Sequence, residues 1–299
     1  MVTMFACPKP FIGHIAVIQR NAIKSWTLLN PRPEIILCGN EAGIGEIAQE
    51  FSLRHVPEIL RNEYGTPLLN DLFEKAESAS VTDLLCYINS DIILFNDFMQ
   101  ALERVSKLRR RFLMSGQRWN FDIQGCVDFG ADWDKRLRAQ VMQKGAMDLM
   151  EAADFFVFPK GLLGEMPPLA LGRLYWDNWI FFRARSTGAS LIDVTGVVMA
   201  VHQEHDQPYY IQKLDSIRYG PEGRRNLELA GPGASFFSLG DAPYFLTPKG
   251  LKLAIDFVHV SRHAVTLPIF YPSLRFPAWV LSKFVALYWR IFIRRKLFI

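Results

Sequence analysis

Cysteine is scarce in this chain, and the four present (Cys7, Cys38, Cys86 and Cys126) are far apart, with no CxxC pair. That spacing excludes a disulfide scaffold or zinc knuckle and fits free thiols in a reducing cytosol. Net charge is also low, +4 over 299 residues, and half of the residues are hydrophobic, which together exclude a disordered chain. The 20 glycines and 17 prolines follow no period, so collagen-like and low-complexity classes are excluded as well. No internal repeat is visible. The opening residues lack a basic segment followed by an apolar one, so no secretory signal is expected. Acid is missing from residues 268–299, which carry Arg275, Lys283, Arg290, Arg294, Arg295 and Lys296. The rest is therefore near neutral, which argues against nucleic acid as a partner. At roughly 100–200 residues per domain, the length admits one large domain with an appendage, of a size usual for a cytosolic enzyme.

Apolar runs and helical periods alternate through the first half. Strands are expected at 2–7, 34–38, 54–56, 83–94 and 111–116. Helices are expected at 14–29, 43–51, 67–79 (with a proline in its first turn) and 96–108. This alternation predicts an α/β domain with a mainly parallel sheet. Residues 117–152 read as a polar, irregular excursion, followed by a strand at 154–158, a helix at 176–186 and one or two strands in 191–201. Residues 203–243 read as an extended loop with a short helix near 221–230, and 251–259 as helical. In the tail, 275–299, Lys283, Arg290 and Arg294 share one narrow helical face, with Trp279, Phe284, Leu287, Trp289 and Phe292 around the rest. Such a helix lies in an anionic membrane surface rather than crossing it. A core-docking helix with a basic edge is the other reading.

Four segments hold residues suited to chemistry. In CYINSDIIL the apolar strand emerges at Asn89, Ser90 and Asp91. Ligands of open α/β sheets bind beyond the carboxyl ends of strands, where a carboxylate can share Mg²⁺ or Mn²⁺ with a diphosphate. Asp91 as a simple turn cap is the plainer alternative. MAVHQEHD ends another strand with His202 and His205, whose neutral imidazoles are good Mn²⁺ or Zn²⁺ ligands, or else are ordinary loop histidines. No HExxH supports a zinc hydrolase. GRLYWDNW sets Asp177 at the start of an aromatic helix, either as a base for an acceptor hydroxyl or as an acid favoured by the helix dipole. Gly39 to Ala48 contains G-x-G-x-x-A, but Gly43 stands too far beyond the strand for a dinucleotide fingerprint, so it reads as a loop opening a helix. Lys9, Arg20, Arg61, Arg118, Lys160 and Arg173 lie near these segments and together suit an anionic donor.

RNEYGTPLLNDLFEKA (61–76), the strand after it and Asn89-Ser90-Asp91 together resemble the family 2 glycosyltransferases. GRLYWDNW is similar to the tryptophan-and-acid acceptor motif of β-1,4-galactosyltransferases. One departure stands out: Asn89 replaces the first carboxylate of the acidic triplet. The resemblance implies a bacterial, GT-A-like, Rossmann-related single domain over 1–245, with a mixed, mainly parallel sheet, and a helical extension over 246–299. It implies transfer of a sugar from a nucleotide-diphosphate donor to a glycan or lipid-linked acceptor, with inversion, in surface polysaccharide synthesis. The donor site would comprise Lys9, Arg61, Gly65, Thr66, Asn70, Asn89, Ser90, Asp91, Arg118 and Gly161. Mn²⁺ or Mg²⁺ would be held by Asp91 with His202 or His205, His202 being preferred. Asp177 would be the base, and Trp119, Trp176, Asn178 and Trp179 the acceptor site. The expected location is cytoplasmic, peripheral on the inner face of the cell membrane, with 275–299 on anionic lipid. Two other readings are a sugar-nucleotide-binding module without catalysis and a nicotinamide-dependent dehydrogenase using the Gly43 loop.

Overall fold

The computed structural model describes residues 1–205, 220–231 and 233–288. Strands β1 (Thr3–Ala6), β2 (Glu34–Cys38), β3 (Arg54–Val56) and β4 (Leu84–Ile88) pair in parallel. They are joined by helices α1 (Gly13–Thr27), α2 (Ile44–Glu50) and α3 (Leu69–Ala79). The central strands are continuous apolar runs because helices cover both faces of the sheet. Helix α1 shows the matching pattern, burying Ile18, Ala22, Ile23 and Trp26 on one stripe.

Beyond β4 the chain steps into a second sheet at β5 (Ile92–Ile93), then returns through α4 (Asp97–Leu108) to β6 (Phe112–Ser115). There follow β7 (Arg118–Phe121), α5 (Trp133–Lys144), β8 (Ala146–Met147), β9 (Phe155–Pro159), α6 (Trp176–Ser186), β10 (Ser190–Asp193) and β11 (Ala200–Gln203). The last elements are α7 (Pro221–Ala230), β12 (Tyr244–Thr247), β13 (Gly250–Leu253), α8 (Phe257–Phe270) and α9 (Arg275–Tyr288). The main sheet has the order β13-β12-β10-β6-β9-β4-β1-β2-β3, and the small one β5-β11-β7-β8. Strand β9 runs antiparallel to both of its neighbours, β4 and β6. The expected α/β class, with its mixed and mainly parallel sheet, is the observed one.

Several expectations are corrected. Residues 83–94 form two strands in two sheets rather than one. Pro67 lies outside α3, pairing across a short bridge with Arg61. The excursion at 117–152 contains β7, α5 and β8. Residues 251–259 are not one helix: Leu251–Leu253 pair with β12 in a hairpin closed by Thr247 Oγ1 donating to the Gly250 carbonyl (2.8 Å). Asp256 then caps α8 by accepting from the Val258 and His259 amides. The boundary expected at 245/246 falls inside this hairpin. Gly43, by contrast, opens α2 as expected, at φ +91°, and a Cβ there would lie 2.7 Å from Phe11 Cβ. Residues 206–219 of the expected loop, and Trp289, Arg290, Phe292, Arg294, Arg295 and Lys296 of the tail, lie outside the described residues.

Helix α8 is held to the body by one fully buried carboxylate. Asp241 accepts from Arg262 Nη2 (2.7 Å), Thr266 Oγ1 (2.9 Å) and the Ser238 amide (2.9 Å). Among the described residues, no helix is long and apolar enough to cross a membrane. Removing one partner of such a pair strands the other, so Asp241→Ala should lower unfolding free energy by roughly 3 kcal/mol. Urea unfolding monitored by tryptophan fluorescence measures this, and an unchanged midpoint would show that α8 is held by its apolar contacts.

Candidate active site

The carboxyl ends of β1, β2 and β4 converge on one edge, and the residues following them line it. At β4 the crossing from one sheet to the other takes three residues, Asn89, Ser90 and Asp91. Trp26 Nε1 donates to the Ile92 carbonyl (2.8 Å), and Gln203 Nε2 donates to the Asp91 carbonyl (3.0 Å). These bonds tie the crossing to α1 and to the end of β11. Since β5 and β11 are antiparallel, with Ile92 opposite His202, the side chains of Asp91, His202 and His205 meet.

Asp91 Oδ2 lies 3.2 Å from His205 Nε2 and 3.7 Å from His202 Nε2. Ligand atoms of these three residues all fall within 4.8 Å of one another, and among the described residues they form the one such group of His, Cys, Asp and Glu. Burial by itself would raise the Asp91 carboxyl. The hydrogen bond with His205 and the charges of His202, His205 and Lys9 outweigh it and hold the group at about 2. Burial pushes His202 down, with Arg118 adding to the effect against the pull of Asp91, so its ring is neutral near pH 7, as a metal ligand must be. The other oxygen, Asp91 Oδ1, is buried with no hydrogen-bond partner among the described residues. One hard oxygen with a free lone pair, beside two imidazoles, fits Mn²⁺ or Mg²⁺, Mn²⁺ better because it accepts nitrogen more readily.

The expected donor residues divide. Lys9 is exposed in the loop after β1, which Gln19 clamps by accepting from the Lys9 amide (2.7 Å) and donating to its carbonyl (2.9 Å). Gln19 also accepts from Ser90 Oγ (2.9 Å), so this buried side chain sets both loops together. Arg61 pairs with Glu41 and donates to the Gly65 carbonyl, in a turn where Gly65 has φ +77° and Asn62 accepts from the Thr66 amide. Thr66 is buried, and its hydroxyl accepts from Arg173 Nη2 (3.2 Å). Glu41 Oε2 and Asn70 Oδ1 share with Asp91 Oδ1 the condition of being buried without a hydrogen-bond partner among the described residues. A buried acceptor left so costs roughly 1–3 kcal/mol, which a ligand's donors or a cation would recover.

Asn89 does not act as a free ligand. Its Nδ2 donates to Asp154 Oδ1 (2.6 Å), and its Oδ1 accepts from Tyr87 OH (2.9 Å). Arg118, expected on the diphosphate, is instead committed to Asp154 Oδ2 (2.9 Å) and Asp148 Oδ2 (2.9 Å). Gly161 is a clear correction. Because β9 is antiparallel to β4, its start faces Ile88 while its end faces Leu84, which carries Gly161 to the opposite edge, beside Glu77.

Asp177 occupies the first turn of α6, entered through Tyr175 at φ +77°, a conformation bulky residues rarely adopt. The Trp176 ring packs edge-on against Tyr87 at 5.3 Å, which sets this turn at the same edge as Asn89. Burial, with a smaller contribution from the charge of Asp154, pushes the Asp177 carboxyl up to about 6, although the Asn178 amide donates to it. The aromatic acceptor site fails for two of its members. Trp176 and Trp179 are 7% and 6% exposed in the core, so neither offers a face to a sugar. Asn178 Nδ2 donates to the Phe237 carbonyl (2.6 Å), and half-buried Trp119 packs with the small-sheet core around Val201. Residues missed from sequence are Gln19, Glu41, Asn120, Asp148 and Asp154. Glu41 alone carried a signal, standing three residues beyond a strand end.

No family model and no curated protein matches this sequence. Solved structures similar to it include TarS 1–349 from S. aureus, at 9% identity over 94% of this chain and 78% of that one, with a TM-score of 0.47. Mannosyl-3-phosphoglycerate synthase from Rubrobacter xylanophilus is 19% identical over 85% and 83%, with a TM-score of 0.46. Mannosyltransferase PcManGT from Pyrobaculum calidifontis, solved with GDP-Man and Mn²⁺, is 14% identical over 99% and 82%, with a TM-score of 0.47.

Trp176 supplies the sharpest check on the packing of this edge. Trp176→Ala should destabilise the protein by about 3–5 kcal/mol, the usual cost of deleting a buried tryptophan. Thermal and denaturant unfolding report the loss, and a variant of parental stability would return Trp176 to the surface.

Proposed function

We propose that this protein transfers a sugar from a nucleoside-diphosphate donor to a hydroxyl acceptor, with a divalent cation at Asp91, His202 and His205. The observation that carries this reading is the buried, unpartnered Asp91 Oδ1 beside two imidazoles at the carboxyl edge of the sheet. Asn89, Ser90 and Asp91, in the segment that resembles family 2 glycosyltransferases, stand at this edge and support the reading. A bound Mn²⁺ or Mg²⁺ would supply charge neutralisation for the departing diphosphate. Lys9, exposed in the loop after β1, adds positive charge for the donor, while the charge of Arg61 is matched by Glu41. Asp177 takes the proton of the acceptor hydroxyl as that oxygen attacks the anomeric carbon, so the configuration inverts. A carboxyl held near 6 is still ionised at neutral pH, yet basic enough to accept that proton.

Nucleotide-sugar hydrolysis and transfer, measured with Mn²⁺ and with EDTA, test the reading. Turnover should require the cation and vanish in Asp91→Ala. Cation-dependent donor binding without any turnover would support a binding module instead, and binding of a nicotinamide cofactor a dehydrogenase. Asp177→Asn should lose about 10²–10⁴ in turnover while still binding donor. Because the base must be deprotonated, kcat/KM should fall as pH drops through about 6. Asp177→Asn should lose that acidic limb, and an unchanged pH profile would remove Asp177 from the chemistry.

The exposed face of α9 supports an acceptor held at an anionic membrane surface, for which we propose a lipid-linked glycan, in surface polysaccharide synthesis on the inner face of the cell membrane. Phe276, Trp279 and Phe284 are 73%, 56% and 65% exposed, and Arg275 and Lys283 stand among them. Aromatic rings at headgroup depth with basic residues alongside are the features of an interfacial helix. The protein should sediment with phosphatidylglycerol vesicles at low salt and release as salt rises. A chain shortened after Tyr271, which keeps α8 docked, should stay folded and unbound. Equal sedimentation of the two forms would rule out this surface.

A further inference from the structure

Asn120 faces His202 across the parallel pair β7 and β11, where the two residues are register partners. Its amide has two neighbours of opposite character. On one side Nδ2 donates to Asp148 Oδ2 at 3.0 Å, and on the other Oδ1 lies 3.2 Å from His202 Nδ1. Asp148 also receives Arg118 Nε at 2.9 Å and the Leu149 amide at 2.8 Å. A carboxylate so surrounded stays ionised and can only accept hydrogen bonds. That settles which way the Asn120 amide points: its NH₂ group must face Asp148, and its oxygen must face the imidazole. An amide oxygen also only accepts, so the proton of neutral His202 must sit on Nδ1. The lone pair is then on Nε2, the atom that lies 3.7 Å from Asp91 Oδ2.

Arg118 stabilises the arrangement from behind. Its Nη1 reaches Asp154 Oδ2 at 2.9 Å while its other nitrogens hold Asp148, and Asp154 in turn receives Asn89 Nδ2. This array of alternating charge joins Asn89, two residues before Asp91, to the back of the His202 ring, using side chains from β7, from the segment before β9 and from the turn after β4.

We propose that Asn120, oriented by Asp148 and Arg118, is a positioning residue that locks His202 in its Nδ1–H tautomer and so makes Nε2 the cation-binding atom. This inference rests on the metal centre proposed above. Outer partners of this kind tune affinity by fixing ring orientation and tautomer, and their loss typically costs about 10–100-fold in metal binding.

Two measurements on the full chain test it. Long-range ¹⁵N–¹H NMR of the histidine rings, on protein without cation, should show His202 as the Nδ1–H tautomer, and Asn120→Ala should shift it toward a mixture. Mn²⁺ titration followed by the EPR signal of the free ion should show Kd rising about 10–100-fold in Asn120→Ala. Asp148→Asn, which no longer dictates the amide's direction, should raise Kd in the same sense. An Nε2–H tautomer in the parent protein overturns the proposal without any variant having to fold. So does an unchanged Kd in a folded Asn120→Ala. If the parent protein binds no Mn²⁺ at all, the metal centre itself is overturned, and the assignment of Nε2 as its ligand falls with it.

Discussion

The candidate site depends on the step that the chain makes between its two sheets at Asn89, Ser90 and Asp91. Had the apolar run 84–94 continued as one strand, alternation would have sent Asp91 along the main sheet, far from β11. Instead Ile92 and Ile93 pair with the end of β11, and the Asp91 carbonyl is bound by Gln203. Two buried polar side chains make this step possible by accounting for its backbone groups. Gln203 serves the Asp91 and Ile18 carbonyls, and Ser25 Oγ accepts from the Leu94 amide. Without such partners a backbone crossing inside the protein would leave donors and acceptors unpaired.

Charge around the step is arranged rather than merely abundant. Asp154 and Asp148 would repel each other and Asp91, and Arg118 between the first two relieves this while being consumed by it. A guanidinium with planar, directed donors can bridge two carboxylates in fixed geometry, which an ammonium cannot do as well. The result leaves Asp91 with an uncommitted oxygen and Asp177 with a raised carboxyl at one edge. Carboxylates with pKa values pushed apart by their surroundings are the usual arrangement when one group must hold charge and another must move a proton.

The C-terminal region follows a different logic. Hairpin β12–β13 extends the main sheet, and Asp241 then binds α8 through Arg262 and Thr266. Helix α9 packs back on α8, and among its described side chains Phe276, Trp279 and Phe284 stay outside.

Sequence alone carried the α/β class and most of the helices, and it singled out Asp91, His202 and His205, which the structure brings together, because periodicity and strand-end position are local properties of the chain. It could not show that β9 runs antiparallel, which sends Gly161 to the far edge and brings Asp154 to Asn89. Nor could it show that Trp176 and Trp179 are core residues, since an aromatic helix reads alike whether its rings face a ligand or a sheet. Strand 251–253 was hidden for a related reason: its partner, not its own pattern, makes it a strand. Sequence determined which side chains were capable of chemistry. Tertiary structure decided which of them meet, because pairing direction and burial bring Asp154 to Asn89 from 65 positions away and His205 to Asp91 from 114, and no local window along the chain contains both partners.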